Sequence, residues 1–236
     1  MSYRSARFWN VEPYTGWMPQ WHSMASLSYD DLRRRAAVVE QLAIDHGCLS
    51  VAPHTVHGFE HFSWSNGGGE STNWFFHPDG RILLTVFDHE EGLNVYGHDD
   101  YDLQLGFFDG VPVDLRAAVL GLPENGVFLN IESADRTRSV LAVSGVFWFD
   151  GRQWHVARGL TEYCAADGIE LWSASGYEYC TGEYLFGTDL TVDTLIGRQR
   201  ERGYYDRSPD REELDRAGFA RSLATAEARL GLGRTP

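Results

Sequence analysis

Residues 73–87 read Asn-Trp-Phe-Phe-His-Pro-Asp-Gly-Arg-Ile-Leu-Leu-Thr-Val-Phe. Two runs of aromatic and aliphatic β-formers flank a Pro78-Asp79-Gly80 turn, which is the local signature of a β-hairpin. The theme returns at Phe147-Trp148-Phe149-Asp150-Gly151-Arg152. Asp-Gly between apolar runs is a strong hairpin signal, and the type I′ turn it suggests needs positive φ at Gly80 and Gly151. Two such hairpins predict one mostly antiparallel sheet at the centre of the chain. Shared turn chemistry accounts for their likeness without a duplication.

Working outward, His61–Ser65 alternates as a strand, and Asn66-Gly67-Gly68-Gly69 breaks the chain before the hairpin. A helix precedes it. Ser28 with Asp31 three residues on resembles a capping box, and Gly47 supplies a stop. Leu32, Ala36, Val39, Leu42 and Ala43 recur at three- and four-residue spacing. That stripe predicts Leu32, Val39 and Leu42 buried, with Arg33, Arg34 and Glu40 exposed. Leu93–Tyr96 reads as a short strand, 100–108 and 113–121 as short helices, and 159–167 as a helix ended by Gly168. Thr191 caps a helix over 192–202. Ser208 with Pro209 opens a last helix whose stripe is Leu214, Phe219, Leu223, Ala226 and Leu230.

The fold class is therefore α+β: a mostly antiparallel central sheet with β-hairpins, flanked by an N-terminal helix and two C-terminal helices. Three regions follow. Residues 1–27 form an aromatic arm (Tyr3, Phe8, Trp9, Tyr14, Trp17, Trp21) broken by Pro13, Gly16 and Pro19. Residues 28–190 form the α+β core domain. Residues 191–236 form a helical segment packing on the core.

The chain has 236 residues, 43% of them hydrophobic, and a formal net charge of −14. That length supports a full core without staples. The charge is unevenly placed: residues 51–190 carry six Arg against twenty-one acids, whereas both flanks are nearly balanced. All twenty basic residues are Arg, which fits the codon bias of a GC-rich bacterial genome. Three cysteines, Cys48, Cys164 and Cys180, form no CxxC pair, so a reducing cytoplasm is expected. The N-terminus lacks the apolar core of a signal peptide, and no stretch reaches the ~20 apolar residues of a membrane span.

Acidic residues are densest at Asp88-His89-Glu90-Glu91 and at His98-Asp99-Asp100-Tyr101-Asp102, with no Arg between 82 and 115. A calcium loop is excluded there. Counting from Asp100, Leu105 and Val111 occupy the positions that need Gly and Glu, and from Asp88 the sixth residue is Leu93. His57-Gly58-Phe59-Glu60-His61 matches H-x-x-E-H in letters, but Pro53, Gly58 and the alternation of Phe59, His61 and Ser63 predict turn and strand rather than the helix the motif requires. A divalent metal held by His57, His61, Asp88 and His89 is thus the alternative to a protein with no cofactor. No G-x-S-x-G elbow or P-loop is present. The stretch Trp172–Tyr184 sets Tyr177 and Tyr179 beside Glu178 and Glu183. It reads as a strand packed on the core or as a desolvated binding surface. The Asn66-Gly67-Gly68 turn resembles one in SUKH-type immunity proteins, where it closes a helix. Here it follows a strand, and no site carries over.

These features point to a binding protein that masks a basic protein partner, as immunity and inhibitor proteins do. Glu90, Glu91, Asp99, Asp100, Asp102, Tyr177 and Glu178 are the contact candidates. A small metal- or carboxylate-dependent enzyme around His57, His61, Asp88 and Glu90 is the alternative. Neither nucleic acid nor membrane is an expected partner for so acidic a body, and the oligomeric state is open.

Overall fold

The computed structural model describes residues 19–47, 54–123 and 128–232. The expected arm falls outside these residues as far as 18. Its end is helical: α1 (Pro19–Ala25) opens on Pro19, where a missing N–H costs nothing. Helix α2 (Tyr29–Asp45) follows, with Ser28 as N-cap accepting from the Asp31 N–H at 3.1 Å. Gly47 ends it at φ 72°.

The first five strands of the chain are β1 (Thr55–Val56), β2 (Phe59–Ser65), β3 (Ser71–Phe76), β4 (Ile82–Phe87) and β5 (Asn130–Glu132). Helices α3 (Tyr101–Gly106) and α4 (Val113–Arg116) lie between β4 and β5. Strands β6 (Ser139–Leu141), β7 (Gly145–Phe149) and β8 (Trp154–Val156) complete the set. Six of them form an antiparallel sheet in the order β1-β2-β3-β4-β7-β8, while β5 and β6 pair separately. The chain closes with α5 (Arg158–Asp167), the short turns α6 (Leu171–Ala174) and α7 (Tyr177–Thr181), then α8 (Val192–Glu201) and α9 (Arg211–Arg229).

Period-2 alternation sends the two side-chain sets of each strand to opposite faces. Phe59, Phe75, Leu83 and Val146 enter one core with α3, α4, the β5–β6 pair and α5. Phe62, Trp74, Leu84 and Phe147 enter a second core with α2, α7, α8 and α9. All six residues of β4 are buried. That explains why Ile82–Phe87 is a continuous apolar run: a central strand covered on both faces has no polar side to show. On the first face, Ser63, Asn73 and Thr85 face one another across β2, β3 and β4 as a buried polar row. Asn73 Oδ1 lies 3.0 Å from His61 Nε2. Ser63 Oγ and Thr85 Oγ1 have no hydrogen-bond partner among the described residues.

Both Asp-Gly pairs are hairpin tips in this one sheet, and Gly80 and Gly151 take φ of 93° and 95°. The turn type differs from I′. Asp79 and Asp150 stay out of the left-handed region. At the first tip Pro78 presets the turn, the Gly80 N–H bonds to His77 O at 3.0 Å, and Gly80 follows as the bulge. At the second tip Gly151 takes the first central position and Arg152 is not left-handed, the II′ pattern.

Four further expectations are corrected. Leu93–Tyr96 is a turn leading into a 3-10 helix at Tyr96–His98, held by Leu93 N–H to Ala174 O at 3.0 Å. Trp172–Tyr184 is not a strand but α6, α7 and a 3-10 turn, because Gly176 adopts φ 69° between two short helices. The last helix starts at Arg211, and Leu214 is 72% exposed. Glu40, expected on the solvent face of α2, is fully buried, while Leu42 is only half-buried. The cause is α9, which covers the flank of α2 that an isolated helix would expose.

Glu40 is the polar centre of that contact. Its Oε1 accepts from the Ser63 N–H at 2.8 Å, and Arg229 Nη1 lies 2.9 Å from Oε2, an ion pair poorly aligned for a hydrogen bond. Burial holds the carboxyl above its usual range, partly offset by Ser63 and Arg229. The Arg229 guanidinium also lies 5.0 Å from the Phe62 ring centre, and Arg34 Nε donates to Glu227 at 2.9 Å.

Candidate functional site

The β3–β4 pairing reaches Ser71 opposite Phe87. One residue further in each direction are Glu70 and Asp88, so the hairpin register itself brings two carboxylates to the same end of the sheet. Both are more than nine-tenths buried, at 7% and 5% exposure. His89 follows and places Nδ1 3.1 Å from Glu70 Oε1. One ligand atom each from Glu70, Asp88 and His89 lie within 4.8 Å of one another.

Two glycines admit this crowding. A Cβ on Gly69, at φ 124°, would sit 2.4 Å from His89 Nδ1, and one on Gly176 would sit 2.4 Å from the Cβ of Asp88. Only a residue without a side chain fits at either place. The Asp88 main chain is fixed by its N–H donating to Ser144 Oγ at 3.0 Å, and its Oδ1 accepts from the Glu90 N–H at 3.0 Å. Burial pushes the Asp88 carboxyl upward, and the charge of Glu70 adds to it. Beneath the cluster, burial also pushes the Cys180 thiol far up, while its Sγ donates to Phe87 O at 3.4 Å. Cys164 rises to about 11 for the same reason. Neither thiol has the character of a nucleophile.

Beyond His89 the surface is acidic. Glu90, Glu91, Asp99, Asp100 and Asp102 are all exposed, as is Glu178. Asp100 also caps α3, accepting from the Leu103 N–H at 2.9 Å. Tyr177 does not belong to this surface. It is fully buried against Met24, Phe147 and Trp172, so its expected contact role is withdrawn in favour of core packing. Tyr179, two residues on, is 61% exposed and accepts from Asn66 Nδ2 at 3.3 Å.

The four expected metal ligands separate into two places. His61 is buried on β2 between Phe75 and Phe128 and bonds Asn73. His57 is a left-handed turn residue whose Nε2 lies 3.0 Å from Leu120 O. Neither joins Asp88 and His89. The H-x-x-E-H letters lie on a turn and a strand, and Glu60 pairs with Arg33 instead. Glu70 takes the place given to the two histidines. Counting equal distances outward from the Asp79 turn would have found it, since 70 and 88 are each nine residues away.

A groove of about 1410 Å³ opens beside α2, α8 and residues 178–188, with Trp64, Phe186, Tyr179 and Tyr204 on its walls. Arg198 Nε lies buried in that wall without a hydrogen-bond partner among the described residues. No described helix is long and apolar enough to cross a membrane. Comparison with family models, with characterised proteins and with solved structures finds no match to this chain.

Proposed function

We propose that this is a cytoplasmic binding protein whose acidic surface, Glu90, Glu91, Asp99, Asp100 and Asp102 with Glu178 near it, masks a basic protein partner. One observation carries the reading. Several carboxylates elsewhere on the molecule are matched with guanidinium groups: Glu60 with Arg33, Asp79 and Asp114 with Arg81, Glu183 with Arg202, Glu212 with Arg200 and Glu227 with Arg34. The acids of 90–102 have no arginine partner among the described residues, and only His89 comes within 3.8 Å of Glu90. Unmatched charge costs the folded state through self-repulsion and raises the rate at which a cationic surface is met.

The test changes Glu90, Glu91, Asp99 and Asp100 together to their amides. Asn is as good a helix cap as Asp, so the start of α3 survives. Pull-downs from the source cell at low and moderate salt, run beside wild type, should recover a basic protein with wild type and much less with the variant. The captured protein should then associate more slowly with the variant, with a flatter salt dependence. Equal recovery of every partner by both proteins would overturn the reading.

A further inference from the structure

We propose that Glu70, Asp88 and His89 bind one divalent transition-metal ion, with zinc as the probe. The proposal does not depend on the partner reading. Glu70 and Asp88 are both over nine-tenths buried, close together, and paired with no arginine among the described residues. The chain has no Lys to supply a cation. Two adjacent buried carboxylates cannot both stay ionised cheaply, and a proton or a cation between them relieves the repulsion. Glu70 is the independent pointer. Its side chain is only 9% exposed, and among the described residues the His89 imidazole is the polar contact its carboxylate makes.

The donor set suits the ion. Carboxylate oxygen and imidazole nitrogen bind zinc at ~2.0–2.2 Å, so ligand atoms within 4.8 Å need move only slightly inward. His89 is 44% exposed in its side chain and stands at the solvent side of the two buried acids. Three protein ligands are one fewer than a closed structural zinc site uses, so a fourth position remains for water or an outside donor. The glycines at 69 and 176 have a reason here: each lets main chain approach a ligand side chain more closely than a Cβ allows.

The experiment uses the full chain, freed of metal with a chelator and titrated calorimetrically with zinc chloride at pH 7.5. We expect one ion per chain and a rise in melting temperature of several degrees on adding zinc, because binding to the folded state alone stabilises it. His89→Ala, a change at a half-exposed side chain whose fold is checked by circular dichroism, should weaken binding at least tenfold and abolish the thermal shift. Glu70→Gln should do the same, and Glu162→Gln, at an exposed side chain on α5, should change neither. Absence of a one-to-one isotherm with wild type, or binding unaltered in His89→Ala, would overturn the site and leave His89 as the hydrogen-bonded counter-ion of Glu70.

Discussion

Arg229→Met isolates the energetic role of the buried carboxylate on α2. In the wild type Glu40 is fully buried, with one main-chain donor, one guanidinium and the His54 imidazole 3.5 Å from Oε2. Removing the guanidinium leaves a charge met by the Ser63 N–H, with His54 Nδ1 3.5 Å from Oε2. Breaking a buried pair in this way costs ~3–5 kcal/mol. The Arg229 side chain is 25% exposed, so water relieves part of the loss and the lower end applies, about 3 kcal/mol. Loss of the cation over Phe62 adds ~0.5–1 kcal/mol. For a chain of this size each kcal/mol moves the melting temperature by ~2–4 °C, so a fall of about 7–16 °C is expected at pH 7. Glu40→Gln keeps an acceptor for the Ser63 N–H and removes the charge. The double variant should therefore melt above Arg229→Met despite carrying one more substitution. Acidity gives a second check. The folded-state carboxyl is held above its unfolded value, so the folded form binds the proton more tightly. The penalty in Arg229→Met is present at neutral pH and shrinks as pH falls through the raised value. Differential scanning calorimetry of the four proteins decides the matter. A loss under about 1 kcal/mol in Arg229→Met, well short of a broken buried pair, or a double variant no better than it, would refute the account.

Leu32→Ala removes a fully buried side chain and should cost ~2–5 kcal/mol, whereas Leu42→Ala, at the half-buried groove wall, should cost about 1 kcal/mol by the same measurement. Equal losses would show that α2 docks by a different face. Asp150 accepts the Gln153 and Arg152 N–H groups and lies 2.9 Å from His155, which hold its carboxyl down at about 2. Its stabilising effect is therefore full above the ordinary value of 3.8 and is lost as pH falls towards 2. Melting curves of wild type and Asp150→Ala should differ at pH 6 and converge near pH 2, and a difference independent of pH would refute this.

The elements set by local chemistry were readable from the sequence. Ser28 and Thr191 are caps, Gly47 and Gly168 are stops, and the two Asp-Gly tips join strands of one sheet. What escaped depends on partners far along the chain. Glu40 reads as polar and outward until α9 arrives from almost two hundred residues away. Trp172–Tyr184 has strand composition, but Gly176 in the left-handed region breaks it into helical turns that carry Tyr177 into the second core. Propensity is a weak guide where burial on both sides rewards any bulky residue. At the candidate site, Asp88 and His89 stood out through local acid density. Glu70 did not, because its nearness to them is a matter of pairing register, and a glycine-rich turn hid it. His57 and His61 drew attention by spacing that means something only on a helix.

The polar row across β2, β3 and β4 bears on how the chain avoids mispairing. Strands so rich in Phe, Trp and Leu offer many near-equivalent alignments, and a shift of two residues would keep every large side chain on its own face. Between β3 and β4 it would set Asn73 against Leu83 or Phe87 in place of Thr85. Ser63 and Thr85, whose hydroxyls find no partner among the described residues even in the correct alignment, lower stability in the finished fold. They act as alignment marks: three small polar residues in register distinguish one pairing from its neighbours, where a wholly apolar sheet would accept several.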